Sequence, residues 1–103
     1  MSHHSNNINA AELATRLQNN QQVTLLDVRE VIEYHTYNIG GDNIPLSKLP
    51  GSLAQLAYNK TDEIIVICKA GLRSQTALSI LQQNGYTNVR NLTGGLMALQ
   101  KLK

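Results

Sequence analysis

The chain has 103 residues, enough for one domain with a single modest core. A formal charge of +2, with no run of Lys or Arg and only four scattered Tyr, argues against a nucleic-acid partner. One cysteine excludes an intramolecular disulfide and a four-Cys zinc site, and no apolar stretch approaches a membrane span.

The elements follow in chain order. The polar opening, residues 1–7, reads as a disordered tail or a remnant of cloning, and the domain as residues 8–103. His3 and His4 fit such a tail better than a metal site, and no metal or cofactor is expected. Asn9-Ala10-Ala11-Glu12 is a capping box, with Asn9 as N-cap and Glu12 three residues on. Leu13 and Leu17 then share a face of a helix ending near Asn19-Asn20. Val23 to Val28 reads as a buried strand, and Tyr34 to Asp42 as a loop punctuated by Gly40-Gly41. Ile44 before Pro45 is extended. Pro50-Gly51 breaks the chain before a short amphipathic segment carrying Leu53, Leu56 and Ala57. Ile64 to Ile67 is β-branched throughout, as suits a strand buried on both faces. Ser74 to Leu81 has helical spacing, with Gly85 as its C′ residue. Val89 to Leu92 is a further strand, Gly94-Gly95 a turn and Leu96 to Leu102 a terminal helix. This alternation predicts an α/β fold, with a mostly parallel sheet covered by helices on both faces.

Cys68 closes the apolar strand and opens the loop Lys69-Ala70-Gly71-Leu72-Arg73-Ser74, which leads into the helix. Open α/β sheets bind ligands at this end of the strands. A helix amino terminus offers free N–H groups and partial positive charge, which stabilise an anion and lower a thiol's pKa. Lys69 and Arg73 add two formal charges. Lone cysteines are usually inert, buried hydrophobes. Gly71, Arg73 and the immediate helix start instead point to a reactive thiol. An exposed thiol of this kind belongs in a reducing compartment, so a cytoplasmic location is expected.

Cys-x-x-Gly-x-Arg-Ser after a hydrophobic strand resembles the active-site loop of the rhodanese-like sulfurtransferases. Other segments match in order: Leu26-Asp27-Val28-Arg29-Glu30 with Glu33-Tyr34, Asn43-Ile44-Pro45-Leu46, Gly85-Tyr86-Thr87-Asn88-Val89, and Leu92-Thr93-Gly94-Gly95. The likeness covers about residues 8 to 102. It implies the rhodanese-like three-layer fold and a two-step sulfur transfer. In that chemistry Cys68 attacks the sulfane sulfur of thiosulfate or a persulfide donor, and a thiophilic acceptor then takes the sulfur. The backbone N–H groups from Lys69 to Ser74 form the anion cradle, with Gly71 giving the loop its conformational freedom. Lys69 holds an oxyanion as a point charge. Arg73 either does the same or braces the loop. Ser74 reads as the helix N-cap. Asp27, Arg29 and Glu33 read as a supporting ion-pair network that ties their strand to the following loop, rather than as an acid–base set. His35 reads as a solvated loop residue rather than a partner of Cys68.

The likeness has departures. Tyr37-Asn38-Ile39 stands where the family usually has Gly-His-Ile, and Gly94-Gly95-Leu96-Met97-Ala98-Leu99 lacks the family's Trp. These bear on the pocket rim and the acceptor, not on the sulfur site. The Asn38-Ile39-Gly40-Gly41 run is similar to rhodanese domains behind E1-like adenylyltransferases of molybdopterin and thiamine synthesis. That likeness implies an excised carboxyl-terminal domain, with a sulfur-carrier protein or a cysteine desulfurase as partner besides small sulfur anions. Two other classes compete. Cys-dependent phosphatases or arsenate reductases use a Cys-x5-Arg loop, whereas four residues separate Cys68 from Arg73 here. Non-catalytic interaction modules have lost the cysteine, which this chain keeps.

Overall fold

The computed structural model describes residues 6–102; His3 and His4 lie outside them. Five parallel strands form one sheet in the order β1-β5-β4-β2-β3. They are β1 (Asn7–Ile8), β2 (Leu25–Asp27), β3 (Asp42–Asn43), β4 (Ile64–Ile67) and β5 (Val89–Leu92). The helices are α1 (Ala10–Gln18), α2 (Val31–Thr36), α3 (Leu49–Ser52), α4 (Leu72–Gln83) and α5 (Gly95–Gln100). Two 3-10 turns, Leu46–Lys48 and Leu53–Gln55, flank α3.

Alternation along β4 divides the core. Ile64, Val66 and Cys68 join Leu26, Leu49, Ala77 and Leu81 on the α3/α4 side. Ile65 and Ile67 join Ile8, Leu13, Leu92, Leu96 and Leu99 on the α1/α5 side. Side chains two residues apart share a face of a strand. Cys68 therefore continues the Ile64–Val66 row, and its sulfur is aimed under the start of α4. This is the three-layer α/β arrangement expected from the sequence.

Asn9 caps α1, its Oδ1 accepting from Glu12 N at 2.8 Å, and Asn19 follows the helix as its C-cap. Gly85, at φ +92, follows α4. Elsewhere the structure corrects the expectations. Of the expected tail, residues 1–5 lie outside the described residues, but Asn7 belongs to the sheet, pairing with Asn91, and Asn6 O just before it accepts from Asn91 N at 2.8 Å. β2 is shorter than Val23–Val28, although Val28 N still donates to Ile67 O at 3.0 Å. The expected loop from Tyr34 begins inside α2, because Glu33 Oε1 reaches back to the Glu30 N–H at 3.0 Å and stabilises a first turn. Pro50 and Gly51 lie within α3 rather than breaking the chain; a proline in the first turn gives up no intrahelical bond. α5 starts at Gly95 and ends at Gln100, short of Leu102.

Candidate active site

The loop from Cys68 to the first turn of α4 wraps its own sulfur. Gly71 N donates to Cys68 Sγ at 3.0 Å and Ser74 N at 3.4 Å, with Ala70 N also directed at it. Ser74 Oγ lies 3.2 Å from Sγ. Burial alone pushes the thiol up; the Ser74 hydroxyl and the N–H groups of Ser74, Gly71 and Ala70 together outweigh it, leaving the thiol below its ordinary value.

Gly71, at φ +98, is the residue that precedes α4 as its cap. A side chain is strained there, and an added Cβ would also come within 3.2 Å of Gly94 N. This corrects the expected capping role of Ser74. Ser74 sits inside the first turn, fully buried, with its hydroxyl turned to the sulfur and to Asn91.

The loop is held from behind by α5. Leu96 N donates to Cys68 O at 2.9 Å and Met97 N to Lys69 O at 3.0 Å. With its carbonyls engaged on that side, the loop presents N–H groups to the sulfur on the other. The Gly94-Gly95 turn allows the approach: a Cβ on Gly95 would fall 2.4 Å from Lys69 O.

On the opposite flank, Arg73 donates to both carboxylate oxygens of Glu33, at 2.6 and 2.9 Å. That fork holds Glu33 down at about 2, with the Arg73 hydrogen bonds as the largest influence. Asp27 and Arg29 form a separate buried pair, Nη2 to Oδ2 at 2.7 Å, and Arg29 also donates to Tyr37 O at 2.6 Å and Glu33 O at 3.4 Å. The supporting residues thus link the end of β2 to α2, and α2 to the Cys68 loop. The Arg73 fork is taken up by Glu33.

Lys69 is exposed and shares a groove of about 340 Å³ with Arg29, Ile32, Glu33, Leu96 and Met97. Ala70 and Leu72 are exposed on the outside of the loop. The thiol is buried, which corrects the expected exposed thiol: Cys68 is only 1% accessible, because its place in the β4 alternation turns it inward and the loop closes over it. His35 is on α2 rather than in a loop; it is exposed, its ring edge-on to Tyr34 at 5.9 Å. Asn91 had drawn no notice in the sequence. It is buried on β5, accepts from Ser74 Oγ through Oδ1, and donates from Nδ2 to Gly71 O at 3.4 Å. A polar residue between Val89 and Leu92 was the signal available.

The sequence profile of the family described as "Rhodanese-like domain" matches residues 9–102. Thiosulfate sulfurtransferase PspE of Escherichia coli is 38% identical over 81 residues, covering 76% of this chain and 77% of PspE. The structure of the human single-domain sulfurtransferase TSTD1 superposes with a TM-score of 0.82 at 26% identity, covering 96% of this chain and 98% of that one. Some relatives are longer. This chain spans 43% of YrkF of Bacillus subtilis, named as a sulfur carrier protein, at 33% identity over 79% of this chain. It spans 24% of MoeZ of Mycobacterium tuberculosis, named as an adenylyltransferase/sulfurtransferase, at 31% identity over 91% of this chain. No helix among the described residues is long and apolar enough to cross a membrane.

Proposed function

Because the chain belongs to the rhodanese-like domain family, a family of sulfur-transferring proteins, we propose that it moves sulfane sulfur from thiosulfate or a persulfide donor to a thiophilic acceptor through Cys68. One observation carries this reading: the Gly71 and Ser74 N–H groups and the Ser74 hydroxyl converge on the Cys68 sulfur. These dipoles favour an anionic sulfur with no general base beside it. In the first step the Cys68 thiolate bonds to the outer sulfur of thiosulfate. The S–S bond breaks, and sulfite leaves with the electron pair. In the second step the acceptor, cyanide or a thiolate, bonds to the outer sulfur of the persulfide, and the Cys68 thiolate is restored.

A sulfur as buried as this one suits a donor that offers a single terminal atom. Lys69, exposed on the groove side, is the cation for the donor's oxygens; Gly71 and Ser74 supply the cradle; Arg73 braces the loop through Glu33. The names of YrkF, a sulfur carrier protein, and MoeZ, an adenylyltransferase/sulfurtransferase, support a sulfur-handling partner, for which a sulfur-carrier protein is our choice.

Intact mass after thiosulfate treatment tests the proposal. One sulfur atom, about 32 Da, is expected on the native protein and none on Cys68→Ser. An adduct that persists in Cys68→Ser overturns the assignment. Cys68-dependent hydrolysis of aryl phosphates faster than sulfur transfer to cyanide would favour a phosphatase instead, against the expectation from a loop one residue shorter than Cys-x5-Arg.

A further inference from the structure

Beneath the Cys68 loop, one hydroxyl proton has two claimants. Ser74 Oγ lies 3.2 Å from Cys68 Sγ and also makes a short contact with Asn91 Oδ1. A serine hydroxyl carries a single hydrogen. The three residues are buried, Ser74 at 0% and Cys68 and Asn91 at 1% accessibility, and Ser74 is the donor the structure gives Asn91 Oδ1. Asn91 enters from β5, where its backbone is paired beside Val66 of β4. Its Nδ2 donates to Gly71 O at 3.4 Å. Turning the amide over would set Oδ1 against that carbonyl, acceptor against acceptor. The network therefore assigns Oδ1 to Ser74.

We propose that Asn91 is a positioning residue for the nucleophile: its Oδ1 competes with the Cys68 sulfur for the Ser74 proton, so the direction of this hydroxyl and the ionisation of Cys68 change together. The inference rests on the reading of Cys68 as the nucleophile. In the thiol form, Cys68 S–H donates to Ser74 Oγ, and Ser74 O–H donates to Asn91. When the thiol releases its proton to solvent, the sulfur turns from donor to acceptor. The Ser74 O–H swings to it, and Asn91 Oδ1 is left buried without its donor. In the persulfide, the charge lies on the outer sulfur and Sγ is a weak acceptor, so the hydroxyl returns to Asn91. The asparagine thus disfavours the resting thiolate relative to the persulfide, which favours loading.

Charged groups lie on the surrounding elements: Lys69 in the loop, Arg73 of α4 with Glu33 of α2 on it, and Asp27 with Arg29 at the end of β2. Arg90 of β5 is engaged by Glu12, Glu63 and the Asn7 carbonyl. Asn91 acts beside these as a neutral group, through Ser74.

The test follows the thiolate's ultraviolet absorbance against pH in the native protein, Asn91→Leu, Ser74→Ala and the double variant, with folding checked by circular dichroism. Asn91→Leu removes a bond from the thiol form alone, so its midpoint is expected to fall by roughly half to one pH unit. In the Ser74→Ala background the same change is expected to move nothing. A midpoint that stays or rises, or an equal shift without the Ser74 hydroxyl, overturns the proposal. Should Asn91→Leu fail to fold, Asn91→Val, suited to a strand, is read by the same outcomes. The native protein gives an independent reading, since its single cysteine yields one S–H stretching band. A hydrogen-bonded band that moves to the free position in Ser74→Ala is expected; a free S–H in the native protein overturns the proposal. No sulfur donor enters these measurements, so their failure is separate from a failure of sulfur transfer.

Discussion

A methyl group at Gly95 would meet backbone on the far side of the Cys68 loop. The Cβ of Gly95→Ala falls 2.4 Å from Lys69 O, 2.5 Å from Lys69 C and 2.6 Å from Ala70 N, at φ +61. The left-handed conformation costs an L-residue about 1–2 kcal/mol, and forcing atoms into a packed site about 1–3 kcal/mol more. Gly95→Ala should therefore lose roughly 2–5 kcal/mol, a fall in Tm of about 8 °C or more for a domain of this size. Gly40 provides the control: it has φ +98 but nothing within 4 Å of an added Cβ, so Gly40→Ala keeps only the conformational part. The strain at Gly95 is relieved only by moving Lys69 and Ala70, whose backbone helps to shape the cradle. Gly95→Ala should thus also raise the Cys68 titration midpoint toward that of an ordinary thiol, and Gly40→Ala should not. Thermal melts and the pH dependence of thiol absorbance check both effects. A Gly95→Ala protein as stable as Gly40→Ala, with an unchanged midpoint, would refute the account of the glycine turn as the loop's back wall.

Two further outcomes follow from the charged residues. Glu33 is held at about 2 against an ordinary 4.5, chiefly by Arg73, so its stabilising effect is complete above about 4.5 and is lost as pH falls toward 2. Both partners are about a third exposed, which limits the pair to about 1 kcal/mol; Glu33→Gln should lose that much at pH 7, and denaturant melts should show the difference from native closing over the acid window. Asp27→Ala leaves the Arg29 guanidinium buried without its carboxylate and should destabilise by about 3–5 kcal/mol in urea, far more than Glu33→Gln.

The parts of the site that were legible in the sequence are those with a strong local signal. The β-branched run Ile64–Ile67 admits little but a buried strand, which puts Cys68 at its carboxyl end; the inward turn of the sulfur, set by the two-residue period, was not anticipated. What escaped depends on tertiary partners. β1 is two residues long, too short for any periodicity, and exists because β5 offers it an edge. α2 begins on a glutamate, outside the usual Ser, Thr, Asp and Asn caps. Ser74 is a favoured cap by composition, but Gly71 takes that place at positive φ, which frees the hydroxyl to turn inward. Nothing local to Asn91 marks it; only the β4–β5 register brings it under the loop.

The hydrogen bonds from Leu96 and Met97 to the Cys68 and Lys69 carbonyls also bear on the order in which the protein is made. Cys68 emerges from the ribosome well before the residues that shape its surroundings. Until Leu96 and Met97 have been synthesised and docked, the loop lacks its back wall. The N–H groups of Ala70, Gly71 and Ser74 follow the sulfur directly in the chain, so what the late segment adds is the fixed geometry in which they meet it. The wall behind the loop is thus added last, by α5 at the end of the chain's described residues.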